Sequence, residues 1–238
     1  MRLLMKIIDS ILSLIYPRRC ISCNEILSIG QEWLCDKCAP GFEKTEHRRC
    51  KICGRIVYHN GNCRTCNSNK LYFDNGYSVF EYKGNVRNGI RNFKYKGLYS
   101  YGRYFGKIMS DYAKCNMDIK FDYVTAVPLH RKRLSDRGYN QSKILAKFVA
   151  KSINVEYKDL LIRKVNTIPL NSLGRKERME NIKGAFAINP NVSVENKYIL
   201  IIDDIYTTGS TINECCKVLK KNHAAMVEFF TLSCTSED

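Results

Sequence analysis

Residues 198–211 read YILIIDDIYTTGST, and this stretch decides the fold. Ile199 to Ile202 form an unbroken aliphatic run, the pattern of a strand buried on both faces in a parallel sheet. Asp203 and Asp204 follow at once. In an open parallel sheet, ligands bind beyond the carboxyl ends of the strands, and two acids at a buried strand end are costly unless something compensates them. Thr207, Thr208, Gly209, Ser210 and Thr211 then turn into a helix expected over about 210–221. Gly209 lets the backbone come close to a ligand. The amides of such a turn and of a helix N-terminus favour an anion, and the hydroxyls add donors. The stretch thus offers donors for a phosphate and, just upstream, acceptors for neutral hydroxyls. A ribose 5-phosphate has that arrangement. Capping a helix would need one acid, not two.

Outward from this strand, helices and strands alternate. NGYSVFEYKG (75–84) reads as a strand. NVRNGIRNFKYKG (85–97) places Val86, Ile90 and Phe93 on one helical face, and a second helix is expected over about 99–115. FDYVTAVPLH (121–130) reads as a strand stopped by Pro128, RKRLSDRGYNQ (131–141) as a basic loop, and NQSKILAKFVAKS (140–152) as a helix with Ile144, Leu145, Phe148 and Val149 inward. AMVEFFTLSC (225–234) is a last strand. This alternation argues for an α/β fold with a mostly parallel sheet.

The N-terminal part differs. Cys20, Cys23, Cys35 and Cys38, then Cys50, Cys53, Cys63 and Cys66, make four CxxC knuckles in a tandem zinc-ribbon pattern. Both sites would be filled by four thiolates and therefore structural, with no open position for water. Pairing of near neighbours is the default, and interleaved pairing stays open. Cys115, Cys215, Cys216 and Cys234 have no ligand spacing and read as small hydrophobes. Arg18, Arg19, Arg48, Arg49, Lys51, Arg55 and Arg64 give the module a basic surface, read either as a DNA contact or as a solvated face.

The chain has 238 residues, 45% of them hydrophobic, which suits one α/β domain plus a small module. Its formal charge of +16 points to nucleic acid, phosphorylated ligands or an acidic protein surface as partners. Thiolate–metal sites imply a reducing compartment. In residues 1–18, Leu4, Ile7, Ile8, Ile11 and Ile15 recur at helical spacing, while Lys6 and Asp9 interrupt the run. We read a docking helix, with a membrane-surface or partner-binding helix as the alternative; the segment is too short and too charged to span a bilayer.

IIDDIYTTGST resembles the signature of type I phosphoribosyltransferases, which bind phosphoribosyl pyrophosphate (PRPP) with Mg²⁺. That resemblance implies ribose hydroxyls on Asp203 and Asp204, and the 5′-phosphate on Thr207, Thr208, Gly209, Ser210 and Thr211. AVPLHRKRLSDRGYNQ and NSLGRKERMENIKGAF, behind a cysteine-knuckle module, resemble the ComF family of competence-associated proteins. Leu170 departs from the family, which usually carries Gln there. The resemblance implies residues 19–70 as a double zinc ribbon and 71–238 as a phosphoribosyltransferase-like domain. It places pyrophosphate near Arg131, Lys132, Arg133 and Arg137, and a flexible loop over the site at Arg175, Lys176 and Arg178. It implies natural competence, with single-stranded DNA and a helicase-like protein as partners, in the cytoplasm or at the inner face of the membrane. The basic, aromatic stretch 83–107 (Phe93, Tyr95, Tyr99, Tyr101, Tyr104, Phe105) fits DNA tracking with base stacking, or core packing. The alternative function is an active phosphoribosyltransferase on an unknown acceptor without a DNA role.

Overall fold

The computed structural model describes residues 17–43, 48–96, 100–165 and 175–237. The expected N-terminal helix, Tyr99 and residues 166–174 lie outside them. The strands are β1 (Asn75–Glu81), β2 (Tyr123–Ala126), β3 (Glu156–Tyr157), β4 (Leu161–Arg163), β5 (Phe186–Ile188), β6 (Tyr198–Tyr206) and β7 (Met226–Cys234). The helices are α1 (Arg64–Ser68), α2 (Gly84–Tyr95), α3 (Tyr101–Asn116), α4 (Arg131–Arg137), α5 (Gln141–Ser152), α6 (Arg175–Ile182) and α7 (Ser210–Lys221).

The main sheet has the order β1-β7-β6-β2-β3 and is parallel throughout. β6 is central and packed on both faces, with Ile199, Leu200, Ile201 and Ile202 wholly buried. Leu200 and Ile202 face α2, α3 and α5, where Ile90, Phe93, Phe105, Met109 and Leu145 close the core. Ile199 and Ile201 face the opposite layer, built from α7 (Ile212, Cys215, Leu219), the small antiparallel β4–β5 pair and the second cysteine cluster. The two cysteine knuckle pairs therefore straddle the sheet. Ile21 of the first packs with α2 and α3, whereas Cys50, Cys53 and Ile56 of the second join the α7 side. Asn92 on α2 ties down the first by donating to the carbonyls of Ile21 and Ser22 at 2.8 and 2.9 Å. Arg49 of the second donates to the Val79 carbonyl of edge strand β1 at 3.0 Å, covering an edge that would otherwise be unpaired.

Three readings from sequence change. Residues 131–137 form helix α4, not a loop. The Lys132 amide donates to His130 Nδ1 at its start, and Gly138 ends it in the left-handed region at φ 80°. Residues 175–182 are likewise helical rather than a loop. Cys115 is exposed on α3, so only Cys215, Cys216 and Cys234 act as buried hydrophobes. Among the described residues, no helix is long and apolar enough to cross a membrane.

Candidate functional site

The chain runs from β2 through α5 to β3 on one side of the sheet's centre, and from β6 through α7 to β7 on the other. The crevice between the carboxyl ends of β2 and β6 is thus a topological switch point. β2 stops pairing at Ala126 opposite Ile202, the Val127 amide makes one more bond to the Ile202 carbonyl, and Pro128 leads the chain away. Beyond that point β6 keeps its β7 partner through Tyr206 and is open toward β2.

Asp203 and Asp204 sit where the sheet opens, still within β6. Asp203 Oδ1 accepts from Ser142 Oγ at 2.7 Å and from the Asp204 amide at 2.9 Å. Burial, then the neighbouring Asp204 carboxylate, push the Asp203 carboxyl up to about 7. Asp204, 7% exposed, pairs with Lys94 of α2 at 2.8 Å. Burial alone would lower the Lys94 ammonium; the Asp204 charge overcomes it and holds the group above its ordinary value. The acids are thus differently partnered: one accepts from a hydroxyl and an amide, the other from a cation.

The turn after β6 is tight. Gly209 adopts φ 79°, and a Cβ there would lie 2.6 Å from the Tyr206 hydroxyl oxygen. Thr208 Oγ1 and Ser210 Oγ are 2.9 Å apart. Gly209 offers no capping side chain at the start of α7, where the Ser210 amide donates to Thr208 Oγ1 at 3.5 Å, and the turn lines a small hollow of about 20 Å³ together with Asp203 and residues 205–212. Across the crevice, Arg137 donates to Gln141 Oε1 at 2.8 Å and stacks over Tyr95 at 5.2 Å, while Arg131 and Lys132 reach solvent. Arg163 at the end of β4 is depressed to about 10 by burial and then by Arg133, and it also senses Asp203. Arg163 thus lies within electrostatic reach of both Arg133 and Asp203. A wider cleft of about 360 Å³ lies behind Pro128 and Leu129, where Lys143 and Asp159 pair at 2.6 Å.

The structure brings Asp203, Asp204 and residues 207–211 together at the end of β6, whereas Arg133 sits on α4 beside Arg137. Arg175, Lys176 and Arg178 lie on α6, downstream of the residues outside the description. Lys94, Ser142 and Arg163 were not expected there. The pairing of an α2 lysine with an acid on β6 is a tertiary contact with no local signal in the sequence. The stacking platform of 83–107 does not survive as a unit: Phe93, Tyr101 and Phe105 are core, and Lys94 turns to Asp204. Tyr95 remains 63% exposed, with Arg87, Arg91, Lys96 and Arg103 also at the surface.

The eight cysteines form two near-neighbour groups, 20/23/35/38 and 50/53/63/66, with all sulfurs in each within 4.8 Å of one another. Interleaved pairing is excluded. Cys23–Cys35 and Cys53–Cys63 sulfurs are 3.7 and 3.6 Å apart. Tetrahedral zinc with bonds of about 2.3 Å needs sulfurs about 3.8 Å apart, so the donor sets fit. Asn24 and Gly54, next after the second cysteine of each first knuckle, both take positive φ (69° and 66°), so the two knuckles share one geometry. The basic surface is smaller than expected, because Arg55 is buried and Arg49 is half-buried against β1.

Residues 11–67 match the double zinc ribbon domain family, and residues 140–235 match the phosphoribosyl transferase domain family. The chain is 27% identical to Competence protein F of Haemophilus influenzae, over 85% of this chain and 91% of that protein. It is 29% identical to Competence protein ComFC of Streptococcus pneumoniae, over 84% and 86% respectively. It is 25% identical to DNA utilization protein YhgH of Escherichia coli, over 91% and 96%.

Proposed function

This chain belongs to the ComF family, which joins a double zinc ribbon to a phosphoribosyltransferase domain, and on that premise we propose that it binds Mg–PRPP at the β2–β6 crevice and supports competence by handling single-stranded DNA. One observation carries the reading: an acid pair at the end of the central strand is followed directly by an open-ended turn of amides and hydroxyls, both at the switch point. Asp203 and Asp204 accept from the ribose 2′- and 3′-hydroxyls. Residues 207–211 hold the 5′-phosphate, with Gly209 giving it close approach to the backbone. Arg133, helped by Arg163, faces the pyrophosphate, and Arg131, Lys132 and Arg137 add charge at the rim. Arg175, Lys176 and Arg178 follow as the covering segment, excluding water from the anomeric carbon. The crevice would take Mg²⁺ as part of the Mg–PRPP complex, and the charge neutralisation that the ion supplies would favour departure of pyrophosphate. The chain's own part in any transfer is positioning and electrostatics; no described side chain is placed as a general base.

The DNA reading rests on the named relatives and on the exposed Arg87, Arg91, Lys96 and Arg103 beside Tyr95, a surface for backbone charge with one stacking ring. The protein acts in the cytoplasm, where its thiolate sites stay reduced. A helicase-like partner belongs to the same proposal. The alternative, a phosphoribosyltransferase without a DNA role, keeps the crevice and drops this surface.

Thermal shift tests the ligand. Mg–PRPP at about a hundred times its Kd stabilises by about 2.7 kcal/mol, a rise of about 5–10 °C for a chain of this size. Adenosine triphosphate with Mg²⁺ gives less. An equal rise with any polyphosphate would reduce the crevice to a nonspecific anion site. For DNA, affinity for an oligothymidine falls with salt, and Arg87→Ala/Arg91→Ala lowers the slope. A slope unchanged by that pair would leave the phosphoribosyltransferase reading alone.

A further inference from the structure

We propose that the second zinc ribbon is part of the ligand site's framework, and that Arg55 is the positioning residue connecting the two. Arg55 follows the knuckle Cys50-x2-Cys53-Gly54 directly. The knuckle is held from both sides. Inside it, the Cys50 amide donates to the Arg55 carbonyl at 2.8 Å and the Gly54 amide to the Cys50 carbonyl at 3.0 Å. Outside it, Arg49 donates to the Gly54 carbonyl at 3.0 Å. Gly54 sits so close to β1 that a Cβ would fall 2.4 Å from the Gly76 carbonyl oxygen.

From this fixed base the Arg55 side chain leaves the ribbon and enters the back of the phosphate turn. It is only 6% exposed. Its guanidinium lies over the Tyr206 ring at 5.0 Å and donates to the Thr207 carbonyl and, at 3.1 Å, to Thr235 Oγ1. Thr207 is the first residue of the turn. The tail after β7 closes the junction: the Thr235 amide donates to the Tyr206 carbonyl at 3.0 Å, and the Glu237 amide to the Ile56 carbonyl at 3.1 Å.

Two features argue against plain structural filler. First, among the described residues no carboxylate pairs with this buried guanidinium, whose charge is answered by the nearby ribbon thiolates Cys53 and Cys63, and its Nε and the Tyr206 hydroxyl lack hydrogen-bond partners. An apolar side chain would fill the space without that cost. What it would not supply is a rigid fork on the Thr207 carbonyl and a positive charge behind a turn built for an anion. Second, the first ribbon repeats the knuckle from Arg18-Arg19-Cys20, and there the position of Arg55 is held by Glu25, which is exposed. The ribbon architecture does not require arginine; only the copy that meets the turn has it.

The inference rests on the proposed crevice for the ligand's identity, but not for its geometry, so its test does not depend on PRPP. Hydrogen–deuterium exchange of the zinc-loaded full chain reads amides 205–211 directly. Arg55→Gln should speed their exchange about tenfold or more, the weight of one charge-assisted hydrogen bond, with two zinc ions retained and β2 and β7 unchanged. Thr235→Val should give the same effect in weaker form without touching the ribbon. Arg55→Lys should recover part of the protection, and Glu25→Gln should change nothing at 205–211. Where Mg–PRPP binds the wild type, its affinity should fall about tenfold in Arg55→Gln. If the wild type binds no PRPP, the ligand reading fails while the exchange result still decides this proposal. Unchanged exchange at 205–211 in Arg55→Gln with zinc retained would overturn it, as would loss of zinc in Arg55→Gln together with a silent Thr235→Val.

Discussion

Replacing Asp203 by Asn should make the ligand-free protein more stable at pH 8 while removing its ligand. Asp203 ordinarily titrates at 3.8, and burial and Asp204 hold it at about 7 in the folded chain. Above pH 7 the folded protein must carry an ionised acid that its surroundings disfavour. The full cost of that displacement is about 4 kcal/mol. Asp203 is partly open to solvent, and screening trims this to about 2 kcal/mol. The sign follows from proton counting. Between pH 4 and 7 the folded state binds more protons at this site than the unfolded state, so wild-type stability falls as pH rises through that window. Asn keeps an oxygen for the Ser142 hydroxyl and the Asp204 amide but does not titrate. Thermal melts of both proteins from pH 4.5 to 8.5 should show a gap in Tm that opens with pH and reaches about 4–8 °C at pH 8. A gap independent of pH, or a variant less stable at pH 8, would refute the reasoning, since the acid would then not be a strained group held for function.

Three further outcomes follow from the Lys94–Asp204 pair, the turn after β6 and the ribbons. Lys94→Ala leaves Asp204 buried without its cation and should lower stability by about 3 kcal/mol in urea titration, most of it recovered in Lys94→Ala/Asp204→Asn. Gly209→Ala forces a side chain into the left-handed region against Tyr206, and should cost about 1–2 kcal/mol while weakening Mg–PRPP. Metal analysis should give two zinc ions per chain. Cys53→Ser should lose one of them and destabilise the whole fold, because that cluster is sealed into the main core, whereas Cys23→Ser, at the exposed corner of a less buried cluster, should lower Tm much less.

The central strand was legible because four consecutive aliphatic residues leave no alternation to follow, and a strand buried on both faces is what such a run makes. The acids and the turn were legible because they are contiguous with it. The residues that complete the site come from other elements. Lys94 has the same side chain as the surface lysines around it, and nothing local marks it as the partner of Asp204. Arg163 ends a three-residue strand, too short to show a period, in a β4–β5 pair the sequence did not reveal. Helix α4 hid behind its charge: four bases in seven residues read as a loop, although His130 and Gly138 bracket it as caps do. Arg55 was misplaced for the opposite reason. Basic residues beside CxxC knuckles usually face solvent, and its burial depends on β7 returning next to β1. A signal for its difference was present in the repeat itself, where Glu25 and Arg55 occupy the same place in two otherwise similar knuckles.

Ligand binding at the end of β6 is the property on which the proposed function depends. Calorimetric titration of the zinc-loaded protein with Mg–PRPP, beside Asp203→Asn/Asp204→Asn, tests it most directly. Saturable binding at one site per chain in the wild type, lost in a folded double variant, is the predicted result. No heat from a folded, zinc-loaded wild type, or equal binding in both proteins, would contradict it.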